Sequence, residues 1–448
     1  MFQNTASLII VFFSIALQAS EQSANGYVSA PTVNLGYVSY AGYQNTTAGI
    51  NYYRAIPYAQ PPLGELRWKK PRPIELSNDF TGQTVDATQI GPACYRSLPG
   101  SLLTPFFTGS SSIIWPWMGQ SENCLILDVL TPAQPVSSSL PVLVQIHGGG
   151  YTAGDAQTYP GDALVNASNG NIIYVSIQYR LGIFGFLGGS AIAEDGVLNA
   201  GLLDQRSALE WIQRNIRQFG GDPSRVTIWG GSAGGGSVSY QLIAGGAYDE
   251  PPFSAAIAEY PWWQPLLNAS TQERQYFTAL TLSNCSDLDC LRSLSSESLQ
   301  TLNQAVQNAS YPGPGNGFGD FWFGPVVDGK FIRRLPDVEY KTGNFYKVPL
   351  IVDRDAYEGY IFSNATDNSG TQEYETSDVN TSQFIAWSVE ITDKLDRHRI
   401  SFHLLVRPFS VDSTVCTQFQ GSIRHFSNAR HGLETLSLTV PLTTWRPQ

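Results

Sequence analysis

The chain has 448 residues, enough for one large α/β domain or two smaller ones. Apolar residues make up 42 % and charged residues only 14 %, with 42 glycines and 27 prolines, which excludes a disordered chain or a coiled coil. A formal net charge of −11 argues against nucleic-acid binding and against docking on an anionic membrane.

The first pattern is an apolar run from Leu8 to Leu17, followed by Gln18-Ala19-Ser20. It is too short to span a bilayer and reads as the core of a signal peptide over residues 1–19, although no Lys or Arg precedes it. Export also fits the Asn-x-Ser/Thr sequons at Asn45, Asn166, Asn268, Asn284, Asn308, Asn364 and Asn380. Four of the five cysteines form two sequence-local pairs. In an oxidising compartment these predict disulfides Cys94–Cys124 and Cys285–Cys290, leaving Cys416 unpaired. No cysteine has zinc-ligand spacing beside histidines, and neither a metal nor a cofactor is expected.

Further along, strands alternate with helices. Leu140 to His147 is a continuous apolar run ending in Gly148-Gly149-Gly150, and Asn171 to Arg180 is another. Leu202 to Phe219 has helical periodicity, with Leu202, Leu209, Ile212, Ile216 and Phe219 on one stripe, and stops at Gly220-Gly221-Asp222-Pro223. Arg225 to Trp229 and Val348 to Asp353 read as strands. Apolar strands alternating with helices predict an α/β fold with a mostly parallel central sheet flanked by helices.

Two glycine-rich segments carry the chemistry. Gly230-Gly231-Ser232-Ala233-Gly234 follows the strand Arg225–Trp229 directly, which is G-x-S-x-G between a strand and a helix. A nucleophilic serine at the top of a parallel sheet sits in a sharp turn that needs small neighbours, and the helix after it aims N–H groups at a developing oxyanion. Upstream, His147-Gly148-Gly149-Gly150-Tyr151 ends an earlier strand and offers backbone donors close to a substrate. Together they predict an oxyanion hole from the N–H groups of Gly149, Gly150 and Ala233.

With these motifs the chain resembles the type-B carboxylesterase/lipase (cholinesterase-like) family, especially its secreted fungal members, from about Gly36 to about Ala365. The resemblance rests on Arg54-Ala55-Ile56-Pro57-Tyr58-Ala59 through Gly64-Glu65-Leu66-Arg67-Trp68, and on Ser121-Glu122-Asn123-Cys124-Leu125. It continues through Tyr179-Arg180-Leu181-Gly182, Gly201-Leu202-Leu203-Asp204-Gln205 and Phe219-Gly220-Gly221-Asp222-Pro223. It implies an α/β-hydrolase fold and a Ser–Glu–His triad. The acid then falls on Glu358, with Asp355 as the competing carboxylate, and the histidine on His431, with His425 and His403 behind it. His147 is out of chain order for the base. In this family Arg67 with Glu122 and Arg180 with Asp204 look like structural ion pairs.

Two features bear on substrate. Gly231 stands where the family usually has Glu, which counts against cationic choline esters. The 94–124 loop carries Leu102, Leu103, Phe106, Phe107, Ile113, Ile114, Trp115 and Trp117, and in similar lipases such a loop is a lid that meets lipid; here it is a lid or a fixed wall. Tyr260-Pro261-Trp262-Trp263 lines the acyl side of the site or sits in the core.

The implied protein is a secreted hydrolase of neutral carboxylic esters, acting on small-molecule or lipid substrates through an acyl-enzyme. The α/β-hydrolase domain is expected over residues 20–381. Residues 382–448 look atypical: they hold four of the five histidines but two of the 42 glycines, and Lys plus Arg outnumber Asp plus Glu by 7 to 5. That composition keeps open an alternative, a catalytically impaired relative or recognition module whose histidine region is altered.

Overall fold

The computed structural model describes residues 26–77, 79–99, 119–263, 265–309, 321–355 and the strand 402–407. Ten strands form its main sheet. In chain order they are β1 (Tyr27–Ser29), β2 (Tyr43–Asn45), β3 (Ile50–Pro57), β4 (Ile126–Pro132) and β5 (Leu140–Ile146), then β6 (Ile173–Ile177), β7 (Gly221–Gly231), β8 (Ala255–Glu259), β9 (Leu350–Asp355) and β10 (Phe402–Arg407). Across the sheet they run β1-β2-β3-β4-β6-β5-β7-β8-β9-β10. The pairings from β1 as far as β6 are antiparallel, and those from β6 to β10 are all parallel.

Every residue of β4 and of β6 is buried, as expected of strands covered on both faces. Helix α1 (Ala200–Asn215) starts two residues before its predicted stripe and gives way to a 3-10 turn at Ile216–Phe219. The five stripe residues are all buried. Gly220 ends the turn at φ 83°, a left-handed conformation open to glycine at no steric cost. The register of β7 on β5 then jumps from Leu140↔Gly221 to Val142↔Val226. The extra residues include Pro223, which has no N–H to give a ladder. Helix α2 (Ala233–Ile243) follows β7 directly and is buried at every position.

The chain order and the sheet order part at one place. From β5 the chain crosses to β6 on one side, then returns to β7 on the other. Ligands of open α/β sheets sit outside the carboxyl ends of strands at such a switch point. Here those ends belong to β5 and β7. Strand β10 lies in the 382–448 segment and continues the parallel sheet at its edge.

Candidate active site

The register of β5 on β7 sets the site. Ile146 pairs with Gly230, so the next residues of each chain segment, His147–Gly150 and Gly231–Ser232, emerge side by side. Gly148 lies so close to the elbow that a Cβ on it would come within 2.7 Å of the Gly231 carbonyl oxygen and 3.2 Å of the Ser232 Cβ. The glycine loop and Ser232 are therefore neighbours through strand pairing alone.

Ser232 adopts φ 56° and ψ −126°, a strained conformation for any residue with a side chain. Three backbone hydrogen bonds hold it there. Its N–H donates to the Glu259 carbonyl at 3.1 Å, and its own carbonyl accepts from the N–H groups of Gly236 and Trp262, each at 2.9 Å. The flanking glycines are needed for room: a Cβ on Gly234 would meet the Ile146 carbonyl oxygen at 2.1 Å, and one on Gly230 would meet the backbone of Gly234 at 2.6 Å. Ser232 itself remains partly exposed, and it precedes the first turn of α2.

Gly149 and Gly150 both lie at positive φ, 110° and 62°. The Gly149 carbonyl folds back to accept from Thr152 and Ala153, at 3.1 and 2.8 Å. That turn leaves the N–H groups of Gly149 and Gly150, like that of Ala233, without a hydrogen-bond partner among the described residues. Phe321 packs against the loop, with its ring 2.3 Å from where a Gly150 Cβ would stand. Trp262 meets Phe321 edge-on at 5.2 Å. Trp262, expected either on the acyl wall or in the core, is half-buried and packs on Phe321 beside Ser232. No sequence motif marks Phe321, and only the fold brings it to the glycine loop.

His147 is fully buried and holds the loop from behind. Its Nδ1 lies 2.9 Å from the Gly148 carbonyl, its ring stacks on Tyr179 at 4.3 Å, and its own carbonyl accepts from the Tyr179 hydroxyl at 2.7 Å. Burial lowers its pKa to about 4, against the opposing pull of the Gly148 carbonyl and Asp155. At neutral pH it is an uncharged support for the glycine loop.

The two family ion pairs are structural. Arg67 grips Glu122 in bidentate fashion at 2.7 and 2.8 Å, and Arg180 grips Asp204 at 2.7 Å through both Nε and Nη2, all buried. Two further buried pairs, Arg54–Asp128 at 2.7 Å and Arg96–Asp155 at 3.0 Å, emerge only from the fold. Both expected disulfides are formed, Cys94–Cys124 and Cys285–Cys290. Among the described residues no cluster of His, Cys, Asp and Glu could hold a metal ion.

Glu358, His425, His431, Cys416, Asn364, Asn380, the 1–19 segment and the apolar stretch from Leu102 to Trp117 lie outside the described residues. His403 lies on β10, paired with Ile351. Through Ile257 that register sets it level with Trp229, three strand spacings or about 14 Å across the sheet.

The elbow at the switch point of a doubly flanked, largely parallel sheet defines an α/β-hydrolase fold. A profile of the carboxylesterase family matches residues 30–415. Carboxylesterase patB of Penicillium expansum is 33 % identical over 419 residues, covering 83 % of this chain and 71 % of its own length. The secreted triacylglycerol lipase LIP1 of Gibberella zeae is 34 % identical over 352 residues, covering 74 % of this chain and 59 % of its own. The crystal structure of EstA of Aspergillus niger superposes with a TM-score of 0.65 at 35 % identity, over 76 % of this chain and 62 % of EstA. The chain thus spans roughly three-fifths to seven-tenths of these relatives' lengths, and it belongs to the carboxylesterase family.

Proposed function

We propose that the protein is a secreted carboxylic-ester hydrolase acting on neutral esters through an acyl-enzyme. The observation that carries this reading is Ser232 in its strained elbow, beside the glycine loop, at the switch point of the sheet. In the proposed cycle the Ser232 Oγ attacks the ester carbonyl carbon while His431 takes the hydroxyl proton and Glu358 orients and offsets the imidazolium. The carbonyl oxygen becomes an oxyanion held by the N–H groups of Gly149, Gly150 and Ala233. Its collapse breaks the ester C–O bond, and His431 returns the proton to the departing alkoxide. Water, deprotonated by the same histidine, then attacks the acyl-enzyme; collapse breaks the bond to the Ser232 Oγ, which takes the proton back from the histidine, and the acid is released.

The two disulfides, the leader-like first segment and the exposed sequons Asn166, Asn268, Asn284 and Asn308 support export and glycosylation. Both esterase and lipase names occur among the relatives, which supports ester substrates and leaves acyl length to the 94–124 loop and the Trp262–Phe321 wall. The segment 382–448 is proposed to contribute β10 and the histidine while departing in composition from the domain before it.

The test is to treat the full chain with a fluorophosphonate probe, locate the labelled peptide by mass spectrometry, and measure p-nitrophenyl butyrate hydrolysis. Labelling at Ser232, with activity lost in Ser232→Ala and in His431→Ala, is expected. Labelling and activity unaffected by Ser232→Ala would overturn the reading, and a chain that takes no label would favour the impaired relative.

A further inference from the structure

Gly231 differs from the other glycines of the elbow. Its φ lies outside the left-handed region, and the three atoms nearest to where its Cβ would stand all belong to one side chain. What stands there is the phenol of Tyr260: a Cβ on Gly231 would fall 2.4 Å from the hydroxyl oxygen, 2.6 Å from Cζ and 2.8 Å from Cε2. The glycine is required by a side chain from the neighbouring strand end.

That phenol is held from both ends. Tyr260 follows β8 at φ 30°, an uncommon conformation for a residue with a side chain. Its N–H donates to both the carbonyl oxygen and Oδ1 of Asp353, at 3.1 and 2.9 Å, which ties it to the end of β9. Its hydroxyl lies 3.5 Å from that of Tyr159, whose ring packs against Trp229 of β7. The Gly231↔Glu259 pairing places Tyr260 one residue beyond the partner of Gly231, beside Ser232.

Resting on the esterase reading, we propose that Tyr260 is a specificity-determining residue of this site. It takes the space of a side chain at 231 and so makes the flank of Ser232 a neutral, hydroxyl-bearing wall. No carboxylate can enter that space while Tyr260 is in place. Ester alcohol groups that depend on a nearby anion, quaternary ammonium alcohols above all, gain nothing there, whereas uncharged groups meet an aromatic face.

The experiment uses the full chain with Gly231→Glu, the milder Gly231→Ala, Tyr260→Ser, and each 231 change combined with Tyr260→Ser. Each variant is assayed for Tm and for kcat/KM on butyrylthiocholine and on a neutral butyrate thioester. With Tyr260 present, either 231 substitution should lower Tm by several degrees and kcat/KM on the neutral ester by about tenfold, because the ring must leave its place. In the Tyr260→Ser background the same changes should be tolerated. There Gly231→Glu should raise the choline-to-neutral ratio about tenfold over Tyr260→Ser alone, through the new carboxylate. Simple additivity of the two positions in Tm, or a ratio that does not move, overturns the inference. A wild-type chain that hydrolyses neither ester and takes no fluorophosphonate label overturns the esterase reading instead; the Tm cycle still decides whether Tyr260 fills the 231 space.

Discussion

Two substitutions at Ser232 separate its chemistry from its strain. At φ 56° and ψ −126° a residue with a Cβ carries about 1–3 kcal/mol of backbone strain, which glycine does not. Ser232→Ala deletes the proposed nucleophile and keeps the strain. Ser232→Gly deletes both, and it also frees the unfolded chain by about 0.5–1 kcal/mol. The three hydrogen bonds that pin the elbow are all to backbone atoms and survive either change. The net expectation is that the glycine variant is more stable than the alanine variant by roughly 0.5–2 kcal/mol, a difference in Tm of about 1–4 °C. Both variants should lose several orders of magnitude in kcat, as removal of a nucleophile does. Calorimetry of the pair, run beside p-nitrophenyl butyrate assays, checks both parts. An alanine variant more stable than the glycine variant by about 0.5–1 kcal/mol, the unfolded-chain effect alone, would show that the elbow stores no strain. An alanine variant keeping a tenth of the activity would remove Ser232 as nucleophile.

The His147 imidazole predicts an acid limb in the stability curve. Its pKa falls to about 4 in the folded protein through burial, against about 6.5 when unfolded. The unfolded chain therefore binds the extra proton first, and stability drops as pH falls from about 6.5 towards 4, by up to about 3 kcal/mol. Urea unfolding at pH 7, 5.5 and 4.5 should show a shallower fall in His147→Gln than in the wild type; parallel curves would assign the acid sensitivity to other groups, Asp155 and Arg96 being the charged neighbours. Asp204→Asn keeps the shape of its partner but leaves the Arg180 guanidinium buried without an anion, and should cost about 3–5 kcal/mol in the same assay. A loss under about 1 kcal/mol would mean that the pair is not what anchors that loop.

Much of the sheet was legible because its strands are buried on both faces and its breakers are strong. The runs at Leu140, Asn171, Arg225 and Val348 became β5, β6, β7 and β9 with shifts of a few residues at their ends. Those shifts have local causes. The helical stripe ended in a 3-10 turn at Ile216–Phe219 because the left-handed Gly220 follows immediately, and β7 began before Arg225 because Gly221 pairs with Leu140 across a bulge. The antiparallel strands β1 to β3 were not anticipated. They are short or mixed in pattern, and their ladder partners lie at the surface or on β4, with no tight hairpin signal between β3 and β4.

The site was legible to the extent that its chemistry is written in contiguous residues. The serine elbow and the glycine loop each occupy one stretch of chain, and both sit where their flanking strands end. What sequence could not supply is the contents of the space between strand ends. Phe321 against Gly150, and Tyr260 against Gly231, are contacts between segments whose neighbourhood depends on register across β5, β7 and β8. Read along the chain, Gly231 stands out as a departure from the family's usual Glu, but nothing in the sequence gives the reason for the departure. In space its φ lies outside the left-handed region, and the nearest obstacle to a side chain is a ring that arrives from the next strand. A glycine can thus be imposed by its neighbour's side chain as well as by its own backbone. Only the paired strands distinguish the two causes, and the distinction matters because the first kind can be relieved by one substitution elsewhere and the second cannot.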